Sequence, residues 1–182
     1  MATKSIRIAM DGVTGRLGTN QHLIRSVLAI RHEGGLALRN GDRLVPEPVL
    51  LGRNPEKLAA LAAAHGGLKW SADTGATLAD SSIDIYFDVA ATGGRRERAL
   101  RAIAAGKHIY LEKPIANSAD EAMEIVRAAK AAGVKAAAVQ DKVFLPGFFK
   151  LRKVKESGFV VALSEWELPR AAASRPSGKQ GK

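Results

Sequence analysis

The 182-residue sequence contains no cysteine, few aromatic residues and no long apolar run. The absence of cysteine excludes a disulfide scaffold, a cysteine-ligated zinc or iron–sulfur site and a cysteine nucleophile. No stretch of about 18 apolar residues is present, so no membrane-spanning helix is predicted. The first residues lead directly into a strand-like segment, without the features of a signal peptide, and we therefore expect a cytoplasmic protein.

Acidic residues are also in short supply relative to basic ones. The chain has 28 Lys and Arg against 18 Asp and Glu, a net charge of +10. Half of this excess falls in the last 33 residues, which carry 8 basic and 3 acidic side chains. Aromatics make up only 5% and do not alternate with arginine-rich runs. The composition therefore favours a solvated basic surface over a nucleic-acid-binding face.

What the sequence does contain is a regular alternation of short apolar runs and longer helical patterns. Alternating strands and helices predict βαβ units and a parallel sheet covered on both faces. We predict an α/β fold, a Rossmann-type doubly wound, mostly parallel sheet with helices on both faces. The predicted strands are Ser5–Met10, Val49–Leu51, Lys69–Trp70, Ile83–Phe87, His108–Leu111 and Val134–Val139. The predicted helices are Thr19–His32, Asn54–His65, Gly93–Ala105, Ser118–Ala132 and Phe144–Glu156.

A glycine-rich segment, GVTGRLG over residues 12–18, follows the first strand and opens the first helix. In a dinucleotide site the first glycine makes the tight turn, the second lets the backbone approach the pyrophosphate and the third allows close helix packing. The helix N-terminus then offers free N–H groups to phosphate. The spacing is G-x-x-G-x-x-G rather than the commoner G-x-G-x-x-G. A plain strand-to-helix turn is the alternative, which the context disfavours.

The second strand ends in Gly52-Arg53-Asn54, without an acidic residue. An NAD-specific site usually places Asp or Glu there to bind the ribose 2′-hydroxyl. An arginine instead suits a 2′-phosphate, because its planar guanidinium matches phosphate geometry. This favours NADP over NAD, with Arg16 as a second candidate for the same phosphate. We predict that residues 34–48, rich in Gly and Pro, form a loop or irregular insert.

A lysine, Lys113, ends the strand before Pro114. In an open parallel sheet, ligands bind beyond the carboxyl ends of the strands, so Lys113 is expected to face the crevice. A lysine there can bind a substrate hydroxyl and help to move its proton. Pro114 fixes the turn and is a candidate for a cis bond. Lys142 ends the next strand at the same edge and is a further candidate, whereas a surface lysine paired with Glu112 is the structural alternative.

These segments together resemble the N-terminal domain of the Gfo/Idh/MocA family, the relatives of glucose–fructose oxidoreductase and inositol dehydrogenase. The resembling segments are residues 12–18, GRNPEKL at 52–58, AAGKHIYLEKPI at 104–115 and Gln140–Lys142. The resemblance implies a dehydrogenase that moves a hydride between NADP or NAD and a sugar, cyclitol or related polyol. It assigns the catalytic lysine to Lys113. It implies cofactor contacts from Gly12, Val13, Thr14, Gly15, Arg16, Leu17, Arg53, Asn54, Ala91, Thr92, Glu112, Lys113 and Lys142. No metal ligand is implied.

The chain departs from that family in length, because members are about twice as long and carry their substrate pocket in a second domain. None of the four histidines is placed to replace the histidine of that domain. We predict a dinucleotide-binding domain over residues 1–159 and a flexible basic tail over 160–182, the product of a truncation or a frameshift in a longer gene.

Three functions remain open at this stage. The first is a domain that retains nucleotide binding without a complete active site. The second is a dehydrogenase whose missing half comes from another chain. The third is a non-catalytic nucleotide-binding or sensor domain with a basic tail for an acidic partner. The substrate, the oligomeric state and the choice between NADP and NAD beyond Arg53 are not determined by the sequence.

Overall fold

Strand β1 (Thr3–Asp11) lies at the centre of a mostly parallel sheet in the computed structural model, which describes residues 2–158 apart from the side chains of residues 143 and 144. The remaining strands are β2 (Leu36–Ala37), β3 (Arg43–Leu51), β4 (Lys69–Ser71), β5 (Ile85–Asp88), β6 (His108–Leu111) and β7 (Ala136–Ala138). The sheet order is β2-β3-β1-β5-β6-β7, with β4 also paired to β3. Every pairing is parallel except that of β2 with β3.

The described part of the chain also contains six helices, five of which connect these strands and the last of which follows the final strand. They are α1 (a π-helical stretch Gly18–Leu28 continued by an α-helical turn Ala29–His32), α2 (Pro55–Ala64), α3 (Thr74–Ala79), α4 (Arg95–Ala104), α5 (Ala119–Ala131) and α6 (Pro146–Glu156). The helix starts follow local rules. The Asn54 side chain accepts the Lys57 N–H at the start of α2, and Ser118 accepts the Glu121 N–H at the start of α5.

The apolar core has two parts because successive residues of the central strands point to opposite faces of the sheet. Ala9 and Tyr86 belong to one buried cluster, with residues of α3, α4 and α5. Their chain neighbours Met10 and Phe87 belong to the other, with residues of α1 and α2. Burying each large side chain contributes about 1.5–3 kcal/mol. Helices therefore cover both faces, and the predicted Rossmann-type fold is confirmed.

The predicted loop over residues 34–48 is wrong where β2 and the first part of β3 fall within it. There β3 already begins at Arg43 and pairs with β1 along its whole length. The error came from Pro46 and Pro48, which lack the N–H that a central strand needs. Partners of β3 on its other side occupy only residues 43–44 and 49–51. Alternate residues of a strand direct their backbone N–H and C=O groups to opposite sides. The odd-numbered residues of β3 bond to the β1 side, as the Arg43 N–H and the Leu51 carbonyl do, whereas Pro46 and Pro48 are even-numbered. The missing donors therefore face the unpaired stretch between β2 and β4.

The described residues group into two compact units, residues 2–139 and residues 140–158. The first contains the whole sheet and α1 to α5. The second contains a 3₁₀ turn, Asp141–Phe144, and the basic helix α6, on which Phe148, Phe149 and Leu151 are exposed. The predicted tail over residues 160–182 lies outside the described residues. Helix α3 was not predicted, because its six residues are too few for a clear apolar period.

Candidate functional site

The loop from Gly12 to Gly18 joins β1 to α1 and requires glycine at two positions. Gly12 has φ of +80°, and a Cβ added there would lie 2.6 Å from the backbone of Ala90. A Cβ on Gly18 would lie 2.8 Å from Val13 Cα. Gly15, between them, is exposed and leaves the loop backbone open to a ligand. This cradle fits a pyrophosphate, since only a backbone without side chains can approach phosphate so closely.

A cavity of about 530 Å³ opens beside this loop, where the carboxyl ends of β1, β3 and β5 meet. Its position is the one at which open α/β sheets bind ligands. Of its charged lining groups, three are basic and one is acidic, which favours an anionic ligand. The lining residues are Asp11, Gly12, Thr14, Gly15, Gly52, Arg53, Asn54, Lys57, Thr74, Val89, Ala90, Ala91, Gly93 and Arg98.

The outer rim of the cavity is the start of α2. Arg53 and Lys57 are both exposed and line the cavity, and no salt bridge joins either of them to another described residue. The Asn54 side chain caps the helix, because its Oδ1 accepts the backbone N–H of Lys57 at 2.9 Å. Two unpaired cations beside a helix N-terminus suit a phosphate group. Lys57 was not among the residues predicted from the sequence.

The floor of the cavity carries a buried charge network that the sequence did not indicate. Asp88 is fully buried at the end of β5, and its Oδ2 lies 2.8 Å from Arg98 Nε. Arg98 also donates to the carbonyls of Ala91 and Gly93, at 2.7 and 2.9 Å. Burial alone would lower the pKa of Arg98, but the hydrogen bond and charge of Asp88 raise it. Arg98 therefore shapes the β5–α4 loop as a permanent cation.

Asp11 adds a carboxyl group to the same floor. Burial raises its pKa, and the hydrogen bond from the Tyr86 hydroxyl, at 2.5 Å from Oδ2, acts in the opposite direction. Burial beside Asp11 in turn raises the pKa of Tyr86, so the phenol stays protonated and remains a donor. The nearest guanidinium, Arg98 Nε, is 4.0 Å from Asp11 Oδ2. A carboxyl group thus faces the ligand cavity with one long ion pair, to Arg98.

The predicted catalytic lysine lies in a second loop, at the end of β6. Lys113 is exposed, and the Lys113–Pro114 peptide is cis, as the sequence suggested. The buried carboxylate of Glu112 accepts the Lys113 N–H at 2.5 Å and contacts His22 Nε2 at 3.0 Å. His22 lies on α1 and packs edge-on against Phe87 at 4.9 Å. Glu112 thus bonds to the backbone N–H of Lys113, whereas the structural alternative considered from the sequence paired it with the lysine side chain, and His22 is a partner of Glu112 that sequence reasoning missed.

Arg95 is the other group that holds this loop. Its side chain is 2% exposed, and it donates to the carbonyls of Glu112, Pro114 and Ala90. Its Nε lies 3.4 Å from Asp88 Oδ1. This role was not predicted, because in sequence a helical arginine among Arg95, Arg96 and Arg98 is typical of a solvated basic face.

Of the cofactor residues predicted from the sequence, five besides Gly12 line the cavity. They are Thr14, Gly15, Arg53, Asn54 and Ala91. Val13 is fully buried in the core, so only its backbone is available to a ligand. Arg16 and Leu17 are exposed at the start of α1, and Thr92 is half-buried, but none of them borders the cavity. Glu112 and Lys113 belong to the second loop, and Lys142 lies in the second compact unit. All of these assignments stay predictions.

The described residues contain no cluster of His, Asp or Glu that could hold a metal ion. None of the helices between residues 2 and 158 is long and apolar enough to cross a membrane.

Comparison with known proteins supports the interpretation of the glycine loop. Residues 6–140 match the model of the Gfo/Idh/MocA oxidoreductase family, described as a NAD-binding Rossmann fold. The chain belongs to this family. A D-xylose dehydrogenase of Paenarthrobacter nicotinovorans is 45% identical over 157 residues, which are 86% of this chain and 40% of that protein. A scyllo-inositol 2-dehydrogenase (NADP⁺) of Bacillus subtilis is 31% identical over 101 residues, 56% of this chain and 31% of that protein.

A solved dehydrogenase structure agrees with the fold. The WlbA dehydrogenase of Bordetella pertussis, in complex with NADH and UDP-GlcNAcA, superposes with a TM-score of 0.68 at 25% identity. The match covers 87% of this chain and 41% of that one. The chain thus spans about 40% of the length of the xylose dehydrogenase and of the WlbA dehydrogenase. Its sheet and glycine loop correspond to the NAD-binding Rossmann domain of the family.

Proposed function

We propose that this chain supplies the cofactor-binding part of a dehydrogenase that oxidises a sugar, cyclitol or related polyol, with NADP(H) as the preferred dinucleotide. The observation that carries the proposal is the cavity itself: a side-chain-free glycine loop on one side, and two unpaired cations, Arg53 and Lys57, on the other. The named activities of the relatives, D-xylose and scyllo-inositol dehydrogenation, supply the substrate class.

In the proposed reaction, an alcohol carbon loses a hydride and its hydroxyl loses a proton, leaving a carbonyl. The nicotinamide, when bound, supplies the hydride acceptor. The chain's own residues bind the dinucleotide and orient the substrate hydroxyl. The glycine loop and the α1 N-terminus hold the pyrophosphate, and Arg53 and Lys57 hold the 2′-phosphate. Lys113 holds the substrate hydroxyl and handles its proton.

Calorimetric titration of the purified chain with NADPH and NADH tests the cofactor preference. Arg53→Asp should weaken NADPH binding by about tenfold to hundredfold, because a charge-assisted contact to the 2′-phosphate is lost. NADH binding should change little. Arg39→Asp is the matched control, since Arg39 is an exposed arginine between β2 and β3 that does not line the cavity. An unchanged ratio of the two affinities in Arg53→Asp would contradict the 2′-phosphate assignment.

A further inference from the structure

Lys113 is the exposed residue between two anchored carbonyls. One terminal nitrogen of the Arg95 guanidinium, Nη1, donates to the carbonyl of Glu112 at 2.9 Å and to the carbonyl of Pro114. These are the residues immediately before and after Lys113. A single buried cation therefore fixes the backbone on both sides of the lysine and leaves its side chain exposed.

The other terminal nitrogen of the same guanidinium contacts a residue that lines the cavity. Arg95 Nη2 donates to the carbonyl of Ala90, a lining residue whose backbone also makes the close approach to Gly12. Ala90 is held a second time, its N–H lying 3.0 Å from Asp88 Oδ1. One rigid side chain thus connects the β5 loop that borders the cavity with the β6 loop that carries Lys113.

The chemistry of the contact requires arginine. The guanidinium presents five donors in a fixed plane, so it can serve carbonyls of separate loops and Asp88 at the same time. A lysine ammonium is a single point with three donors and cannot span the same carbonyls. Burial adds to the need for a donor at Glu112, because this residue is buried and its carbonyl would be left unsatisfied if the guanidinium were removed.

We propose that Arg95 is a positioning residue that couples occupation of the dinucleotide cavity to the placement of Lys113. Movement of the Ala90 backbone on ligand binding is transmitted through the guanidinium to the carbonyls of Glu112 and Pro114. The proposal rests on the proposed function, in which Lys113 acts beside the bound dinucleotide. It adds a residue that touches neither substrate nor cofactor.

Competitive acylation of lysines in the full chain, read at each lysine by mass spectrometry, tests the coupling. NADPH should slow acylation of Lys113 severalfold in the wild-type chain. In Arg95→Lys, NADPH should still bind within about tenfold of wild type by calorimetry, but its protection of Lys113 should be lost. Arg101→Lys, an exposed arginine of the same helix, should keep wild-type protection. A purely structural role would lower the melting temperature without separating protection from binding.

The outcomes distinguish the coupling role of Arg95 from the proposed placement of Lys113 beside the dinucleotide. Full NADPH protection of Lys113 in a folded Arg95→Lys chain overturns the coupling role. NADPH binding without any protection of Lys113 in the wild-type chain overturns instead the placement of Lys113 beside the dinucleotide, on which the coupling depends.

A second measurement needs no variant and decides the matter if Arg95→Lys does not fold. Saturating NADPH should slow amide hydrogen exchange at Lys113 and Ile115 of the wild-type chain, as well as in the glycine loop. Slower exchange confined to the glycine loop overturns the proposal, whereas slower exchange at both loops supports it.

Discussion

The loop at the end of β1 and the loop at the end of β6 are held in place by opposite means. The first is shaped by missing side chains, with Gly12 and Gly18 bringing backbone against backbone. The second is shaped by buried charge, with Arg95 and Glu112 bonded to the backbone around Lys113. A glycine cradle tolerates little added volume, whereas a charge network tolerates little loss of a partner. The two loops should therefore fail in different ways.

The largest effect is expected from Asp88→Asn, which breaks the charge network. Asp88 is fully buried between Arg95 and Arg98, so its neutralisation leaves Arg95 without a carboxylate and Arg98 with only the 4.0 Å pair to Asp11. Breaking such a buried pair costs about 3–5 kcal/mol of unfolding free energy. Urea denaturation measures the loss. Glu124→Gln, which weakens a half-exposed pair with Arg96, is the control and should shift the midpoint much less. Equal effects of the two substitutions would contradict the network's role.

Gly12→Ala should have the next largest effect and test the cradle. The added Cβ meets the Ala90 backbone at 2.6 Å and also requires an unfavourable positive φ, together costing about 2–4 kcal/mol. Nucleotide binding should fall below detection by calorimetry. Gly66→Ala is a matched control, because Gly66 has nearly the same φ, +82°, but nothing within 4 Å of an added Cβ. If both variants bind NADPH with the same affinity, the close approach of Gly12 to Ala90 is not required for nucleotide binding.

The smallest effect is expected from Asp11→Asn, which removes the carboxyl group from the cavity floor. Its pKa is raised in the folded chain, chiefly by burial, so the folded state holds this proton more tightly than the unfolded state. The stability that comes from the protonated form is present at low pH. It is lost as the pH rises from the ordinary aspartate value, about 3.9, through the raised value. The variant should therefore gain stability over wild type as the pH increases towards neutrality.

The same substitution should tighten NADPH binding severalfold near neutral pH, because a negative charge no longer faces the phosphates. Tyr86 keeps an acceptor in the asparagine oxygen. Thermal melts at about pH 3.5 and about pH 7, which bracket the start of this window, and calorimetry near pH 7 give the two quantities. Asp73→Asn, a change in an exposed cap of α3, controls for net charge. Weaker NADPH binding by Asp11→Asn would mean that the carboxyl group helps the ligand rather than opposes it.

The comparison of the two loops also explains which parts of the site were predictable. The glycine loop, the helix that follows it and Arg53 at the end of β3 are local features. A tight turn, a capping residue and a cation at the end of a strand can each be identified from a few consecutive residues. Lys113 was found the same way, from its place after a strand and before Pro114. The two prolines in β3 misled the prediction because β3 tolerates them only where it has no partner strand on one side, between the residues that pair with β2 and with β4.

The sequence by itself determined the alternation of strands and helices, the caps of α2 and α5, and the positions of the glycine loop and of Lys113. Each follows from the period or chemistry of neighbouring residues. Only the tertiary structure decided that Arg95 holds the loop of Lys113 and that His22 contacts Glu112. It also decided that the Tyr86 hydroxyl donates to the Asp11 carboxyl group under the cavity. Those contacts join residues 17 to 90 positions apart. Their strength comes from burial, which no local pattern of residues reveals.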